Sequence, residues 1–189
     1  MPRRMFYRRF PPRRKREGKT DYRLRLKLVK SGLPRVVVRR SNKYIIIQIV
    51  ESRLGGDRTL LTVTSKKLMS YGWKGGTKNL PAAYLTGLIA GRKAVEMGVK
   101  KAIADIGRYS PVPGSRVFAA IKGVIDGGLE VPMSDEAAPS EERLKGEHIS
   151  TYYQSIPHEG ETVQFSSLPS EVISSLPQHF EEVKSKILS

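Results

Sequence analysis

The chain contains no cysteine, so disulfides, thiolate nucleophiles and cysteine-held zinc are excluded. Histidine is scarce: His148, His158 and His179 all fall late in the chain, and His148 and His158 have no second histidine at helical i+4 spacing to share a metal. Long apolar runs are missing, none reaching the ~18 residues a bilayer span requires. No apolar stretch follows the basic N-terminal residues, which argues against a secretory signal, and Pro2, Pro11 and Pro12 argue against an amphipathic transit helix over Arg3–Arg16. A cytoplasmic protein is the expectation. Converging carboxylates are also lacking. The predicted strands offer only Glu51 and Asp105, and Asp105 is expected to pair with Arg108 or a backbone group. The adjacent pairs Glu141-Glu142 and Glu181-Glu182 point in different directions on a helix and read as solvated faces. Two-metal hydrolysis needs better.

Negative charge is the most unevenly missing feature. Residues 1–43 hold 17 Lys/Arg against only Glu17 and Asp21, a net of +15. Residues 44–129 carry +8 and residues 130–189 carry −7, within a total of +16 over 189 residues. A dense basic arm repels itself and condenses only against a polyanion. Nucleic acid rewards such an arm by counterion release, with log K falling by roughly 0.9 per phosphate contact per decade of salt on duplex DNA. A pI near 10.2 fits that partner better than a small-molecule substrate. A basic membrane-surface protein is the competing reading of charge alone.

Composition divides the chain into a basic arm (1–20), a core with a leading basic helix (21–131) and an acidic extension (132–189). The arm shows no period of 2 or 3.6, so it reads as extended and ordered only on binding. Tyr22–Ser31 suits a short basic helix, with Gly32 past its end and Pro34 blocking continuation. Three strands follow as an antiparallel meander: Arg35–Arg40 around Val36, Val37 and Val38, Tyr44–Glu51 with Ile45, Ile47 and Ile49 on one face, and Thr59–Thr64 after the Gly55-Gly56-Asp57 turn. Leu80–Met97 has helical spacing, and Ala83, Gly87 and Gly91 form a smooth stripe suited to lying close on a sheet. Lys101–Ile106 reads as a short buried strand and Ser115 as the cap of a helix over Arg116–Asp126. The fold class is therefore α/β: a mixed sheet, three strands antiparallel plus one parallel, with packed helices. Two amphipathic segments, Ser140–Tyr152 and Leu168–Leu188 broken near Pro177, would pack on the core or on a neighbour.

Two constellations carry binding chemistry. Gly72-Trp73-Lys74-Gly75-Gly76-Thr77-Lys78-Asn79, preceded by Ser65-Lys66-Lys67, combines close backbone approach, charge and a stacking face. It is not a Walker loop, since Thr77 rather than Lys follows Gly76. Trp73 serves equally as a hydrophobic plug under the helix start. The second is Arg35, Arg39, Arg40, Ser41, Asn42 and Lys43. Arginines are costly to bury, so this hairpin is expected to present an exposed basic face, or else a solvated edge that resists aggregation.

The stretch Gly32-Leu33-Pro34-Arg35-Val36-Val37-Val38-Arg39-Arg40-Ser41-Asn42-Lys43-Tyr44-Ile45-Ile46-Ile47-Gln48 resembles the hairpin of the universal large-subunit ribosomal protein eighteen family. Leu80-Pro81-Ala82-Ala83-Tyr84 with Gly87 and Gly91, and Asp105-Ile106-Gly107, match it too. The Arg-rich arm and the Gly-Trp-Lys-Gly-Gly loop are similar to the archaeal and eukaryotic form, and the likeness covers about residues 1–150. The resemblance implies a fold related to the ribonuclease-H-like motif without nuclease function, no cofactor, and a structural role on the ribosome. It implies 5S rRNA, large-subunit rRNA and neighbouring ribosomal proteins, including the other 5S-binding protein, as partners at the central protuberance. RNA contacts are expected from Arg3, Arg4, Arg8, Arg9, Arg13, Arg14, Lys15 and Arg16 of the arm. On the core they are expected from Arg35, Arg39, Arg40, Ser41, Asn42 and Lys43, from Thr64, Ser65 and Lys66, and from Trp73, Lys74 and Lys78. A metal-dependent nuclease and a nonspecific nucleic-acid chaperone are the rival readings.

Overall fold

A computed structural model describes residues 10–156, 165 and 168–189. Helix α1 (Arg13–Arg16) is one short turn following Pro12. The prolines predict an extended segment here. Pro12 instead stands at the helix entrance, where its missing N–H costs nothing. Helix α2 (Tyr22–Lys30) starts where the Asp21 carboxylate accepts from the backbone N–H of Arg23 and Leu24. Those two bonds, the Leu24 one first, hold the Asp21 carboxyl below its ordinary range.

Strands β1 (Arg35–Arg40), β2 (Ile45–Arg53) and β3 (Gly56–Thr64) form the expected meander, and β4 (Ile103–Asp105) adds to β1 in parallel, giving the order β3-β2-β1-β4. Alternation sorts the side chains. Val36, Val38, Ile45, Ile47, Ile49 and Val63 are buried on one face under α3 (Leu80–Glu96) and α4 (Arg116–Asp126). The other face carries Arg35, Val37, Arg39, Gln48 and Val50, with α2 above it.

Asn79 caps α3 by accepting from the Ala82 N–H at 2.9 Å, with Pro81 in the first turn. Its glycine stripe faces α4, not the sheet as the sequence suggested. A Cβ at Gly87 would overlap the Ala120 carbonyl oxygen, and one at Gly123 would overlap that of Tyr84. The two helices touch backbone to backbone, a contact that any side chain would prevent.

The acidic extension packs on the core. Expected as one helix over Ser140–Tyr152, its first part is two, α5 (Glu141–Lys145) and α6 (Glu147–Ser155), divided at Gly146 with φ of +89°. Helices α7 (Ser170–Ser174) and α8 (Leu176–Leu188) follow, with Leu176, Phe180, Val183 and Ile187 sunk into the core. Phe180 lies against Tyr84, whose hydroxyl donates to Asp126 at 2.8 Å. Burial first, then that bond, raises the Tyr84 pKa far above the ordinary phenol range.

Candidate nucleic-acid interface

The β1–β2 turn gathers charge at one end of the sheet. The Ser41 hydroxyl donates to the Tyr44 carbonyl and accepts from the Tyr44 N–H, at 3.0 and 2.8 Å. Ser41 therefore shapes the turn. Asn42 and Lys43 stand exposed at its tip. The Thr77 hydroxyl donates to the Lys43 carbonyl at 2.7 Å, which ties the glycine-rich loop to this turn and brings Lys78 beside it. Register places Thr64 opposite Ile46, so the exposed Lys66 belongs to the same end.

Arg40 is held from behind. Its backbone N–H donates to the Tyr109 hydroxyl at 3.0 Å, and its guanidinium lies 4.5 Å over the Tyr109 ring. Such a contact leaves the outer edge of the guanidinium free to meet an anion. Arg116, not singled out in the sequence, donates to the Lys78 carbonyl at 3.2 Å. Burial, then the neighbouring Arg40 charge, lowers its pKa. Arg40, Lys43, Lys66, Lys78 and Arg116 thus collect around one sheet end, supported by neutral groups. Arg116 begins a helix, and its place here depends on a tertiary contact that no sequence pattern signals.

Three residues expected to present themselves at this interface are buried instead. Arg35 is 4% exposed, and its guanidinium donates to Asp105 Oδ2 at 2.7 Å and Asp57 Oδ2 at 2.6 Å. Two carboxylates make its burial tolerable. Of the two partners expected for Asp105, the backbone one is present, since its Oδ1 accepts from the Gly107 N–H at 2.9 Å. Arg108 instead donates to the Gly18 carbonyl, and the charge partners of Asp105 are Arg35 and Arg39. Ser65 is fully buried, its hydroxyl accepting from the Ile45 N–H at 3.1 Å. Trp73 is 3% exposed and stacks on His179 with ring centroids 5.2 Å apart, so of its two readings the plug is the one seen. His179 Nε2 in turn accepts from the Lys74 N–H at 3.0 Å, fastening α8 to the loop while the Lys74 side chain is exposed.

Arg39 is intermediate, donating to the Asp105 carbonyl at 2.9 Å and to its Oδ1 at 3.2 Å with 39% of its side chain exposed. Among the arm residues, Arg13, Arg14, Lys15 and Arg16 are exposed. Arg14 lines the same cavity as Arg39, so the arm continues the basic surface across the open sheet face. Arg3, Arg4, Arg8 and Arg9 lie outside the described residues. Among the described residues, no three His, Asp or Glu side chains converge as a metal site requires.

Comparison with known proteins places these features in context. The model of the family described as "Ribosomal large subunit proteins 60S L5, and 50S L18" matches residues 7–103. The large ribosomal subunit protein uL18 of Methanothermobacter thermautotrophicus is 45% identical over 177 residues, covering 93% of this chain and 92% of that protein. Its namesake from Aeropyrum pernix is 46% identical over 185 residues, covering 95% and 86%. That of Korarchaeum cryptofilum reaches 53% over 148 residues, covering 78% and 76%.

Proposed function

The chain belongs to the uL18 family of large-subunit ribosomal proteins, and from that premise we propose that it binds 5S rRNA and helps attach it to the large subunit at the central protuberance. It is a structural component of the ribosome and not an enzyme. The observation that carries the RNA reading is the division of labour among its charges. The carboxylates of the open sheet face, Asp57 and Asp105, are occupied by Arg25, Arg35 and Arg39. Arg40, Lys43 and Lys66 at the sheet end are exposed. A rigid basic edge of this kind reads phosphate geometry in folded RNA by shape. The exposed Arg13–Arg16 turn extends that edge, and the acidic extension is turned toward neighbouring ribosomal proteins.

The test is to purify the chain from cells under mild conditions, then size and sequence the RNA recovered with it. 5S rRNA in near-equal amount to the protein supports the proposal. A broad mixture of RNAs without enrichment of 5S rRNA contradicts it.

A further inference from the structure

A cavity of about 560 Å³ lies between α2 and the open face of the sheet. Val37, Val50 and Leu28 give it an apolar wall, while Thr20, Gln48 and Thr59 add hydrogen-bonding groups. Helix α2 does not fill it, since no α2 residue is buried and Leu24, which lines it, is 37% exposed. The helix is tied down by Arg25, which meets Asp57 at 2.8 Å.

Two features of the lining point to a ligand. The first is charge. Arg14, Lys19, Arg25, Arg35 and Arg39 face Asp21, Asp57 and Asp105, which leaves the cavity with a formal excess of two positive charges. The second is Arg35 itself. Its two terminal nitrogens are paired, but Nε is buried without a hydrogen-bond partner among the described residues. An unpaired buried donor is costly in a protein interior.

We propose that this cavity seats a single nucleotide, with the base between Leu28 and the Val37–Val50 wall and the phosphate toward Arg14, Lys19 and Arg39. The volume lies in the range of small-ligand pockets. RNA-binding proteins read unstacked bases partly through hydrogen bonds to their edges, and Thr20, Gln48 and Thr59 line this cavity with groups of that kind. The inference rests on the RNA reading above and deepens it, since a nucleotide extruded from the bound RNA would add an anchor that phosphate contacts alone do not provide. A free mononucleotide offers the same chemistry, and the experiment separates the two sources.

The test follows the arginine Nε–Hε signals of the 15N-labelled full chain during titration with 5′-AMP, 5′-GMP, 5′-CMP, 5′-UMP, inorganic phosphate and 5S rRNA. The Arg35 signal is expected to move with a nucleotide, free or within RNA, and to stay in place with phosphate alone. Movement with RNA only assigns the nucleotide to the polymer; movement with both shows that a monomer suffices. Thr59→Trp fills the cavity from an exposed strand position and is expected to abolish the shift and weaken 5S rRNA binding about tenfold. Leu54→Trp at the β2–β3 turn leaves both unchanged. An Arg35 signal that is unmoved at saturation with RNA and mononucleotides overturns the proposal. So does an equal response to phosphate alone, or wild-type affinity in Thr59→Trp. If 5S rRNA fails to bind while a mononucleotide moves Arg35, the RNA reading fails and the cavity stands.

Discussion

Arg35 and Asp105 pair across the parallel strands β1 and β4, Nη1 to Oδ2 at 2.7 Å, with side chains only 4% and 8% exposed. The bond clips the three-residue β4 to the meander and spends on folding a charge that the sequence suggests for RNA. Removing one partner strands the other in a poorly hydrated site. Asp105→Asn is therefore expected to cost roughly 3–5 kcal/mol in urea unfolding.

Trp73 and Lys43 should separate stability from binding. Trp73→Ala empties the space against His179 and is expected to cost about 3–5 kcal/mol by denaturant melt. Lys43→Ala should shift stability by less than about 0.5 kcal/mol. It should weaken RNA binding and lower the salt slope by roughly 0.7–0.9. Filter binding at several salt concentrations, beside thermal melts of the same samples, checks both.

Gly87→Ala reverses the usual effect of such a change. In an exposed helix interior alanine is favoured over glycine by about 1 kcal/mol. At Gly87 the added Cβ would overlap the Ala120 carbonyl and force α3 and α4 apart. A loss of about 3 kcal/mol is expected, and calorimetry of the variant beside wild type measures it.

Asp57 sets an acid-sensitive step. Burial works against its ionisation, but the hydrogen bond and charge of Arg35, aided by Arg25, win and hold its carboxyl below the ordinary 3.8. A carboxyl depressed on folding contributes stability that is full above the unfolded value and is lost as pH falls through the folded one. Unfolding free energy should therefore decline below about pH 4. Asp57→Asn should flatten that limb, as read from urea midpoints across pH 2–6.

The meander and the two long helices are legible from alternation, helical spacing and glycine stops because those patterns are local. Legibility fails where a long-range partner decides the outcome. The burial of Arg35 depends on Asp57 and Asp105, 22 and 70 residues away in sequence. The apolar stripe of α8 through Leu176, Phe180, Val183 and Ile187 is legible, but its seat, with His179 stacked on Trp73 and Phe180 against Tyr84, is not. The glycine stripe of α3 is visible, but nothing in it names α4 as its neighbour. At the candidate interface, Arg40 and Lys43 are legible as a charged hairpin. Arg116 is not, because its place comes from the approach of α4 to Lys78.

The central claim is that a shaped basic edge selects 5S rRNA, and competition binding tests it most directly. Labelled 5S rRNA bound to the full chain is challenged with unlabelled 5S rRNA or an unrelated RNA duplex of equal length, at two salt concentrations. The account predicts that 5S rRNA competes at least about tenfold better, and that the preference persists at high salt, where nonspecific phosphate contacts weaken. Equal competition by the unrelated duplex at both salt concentrations would contradict it.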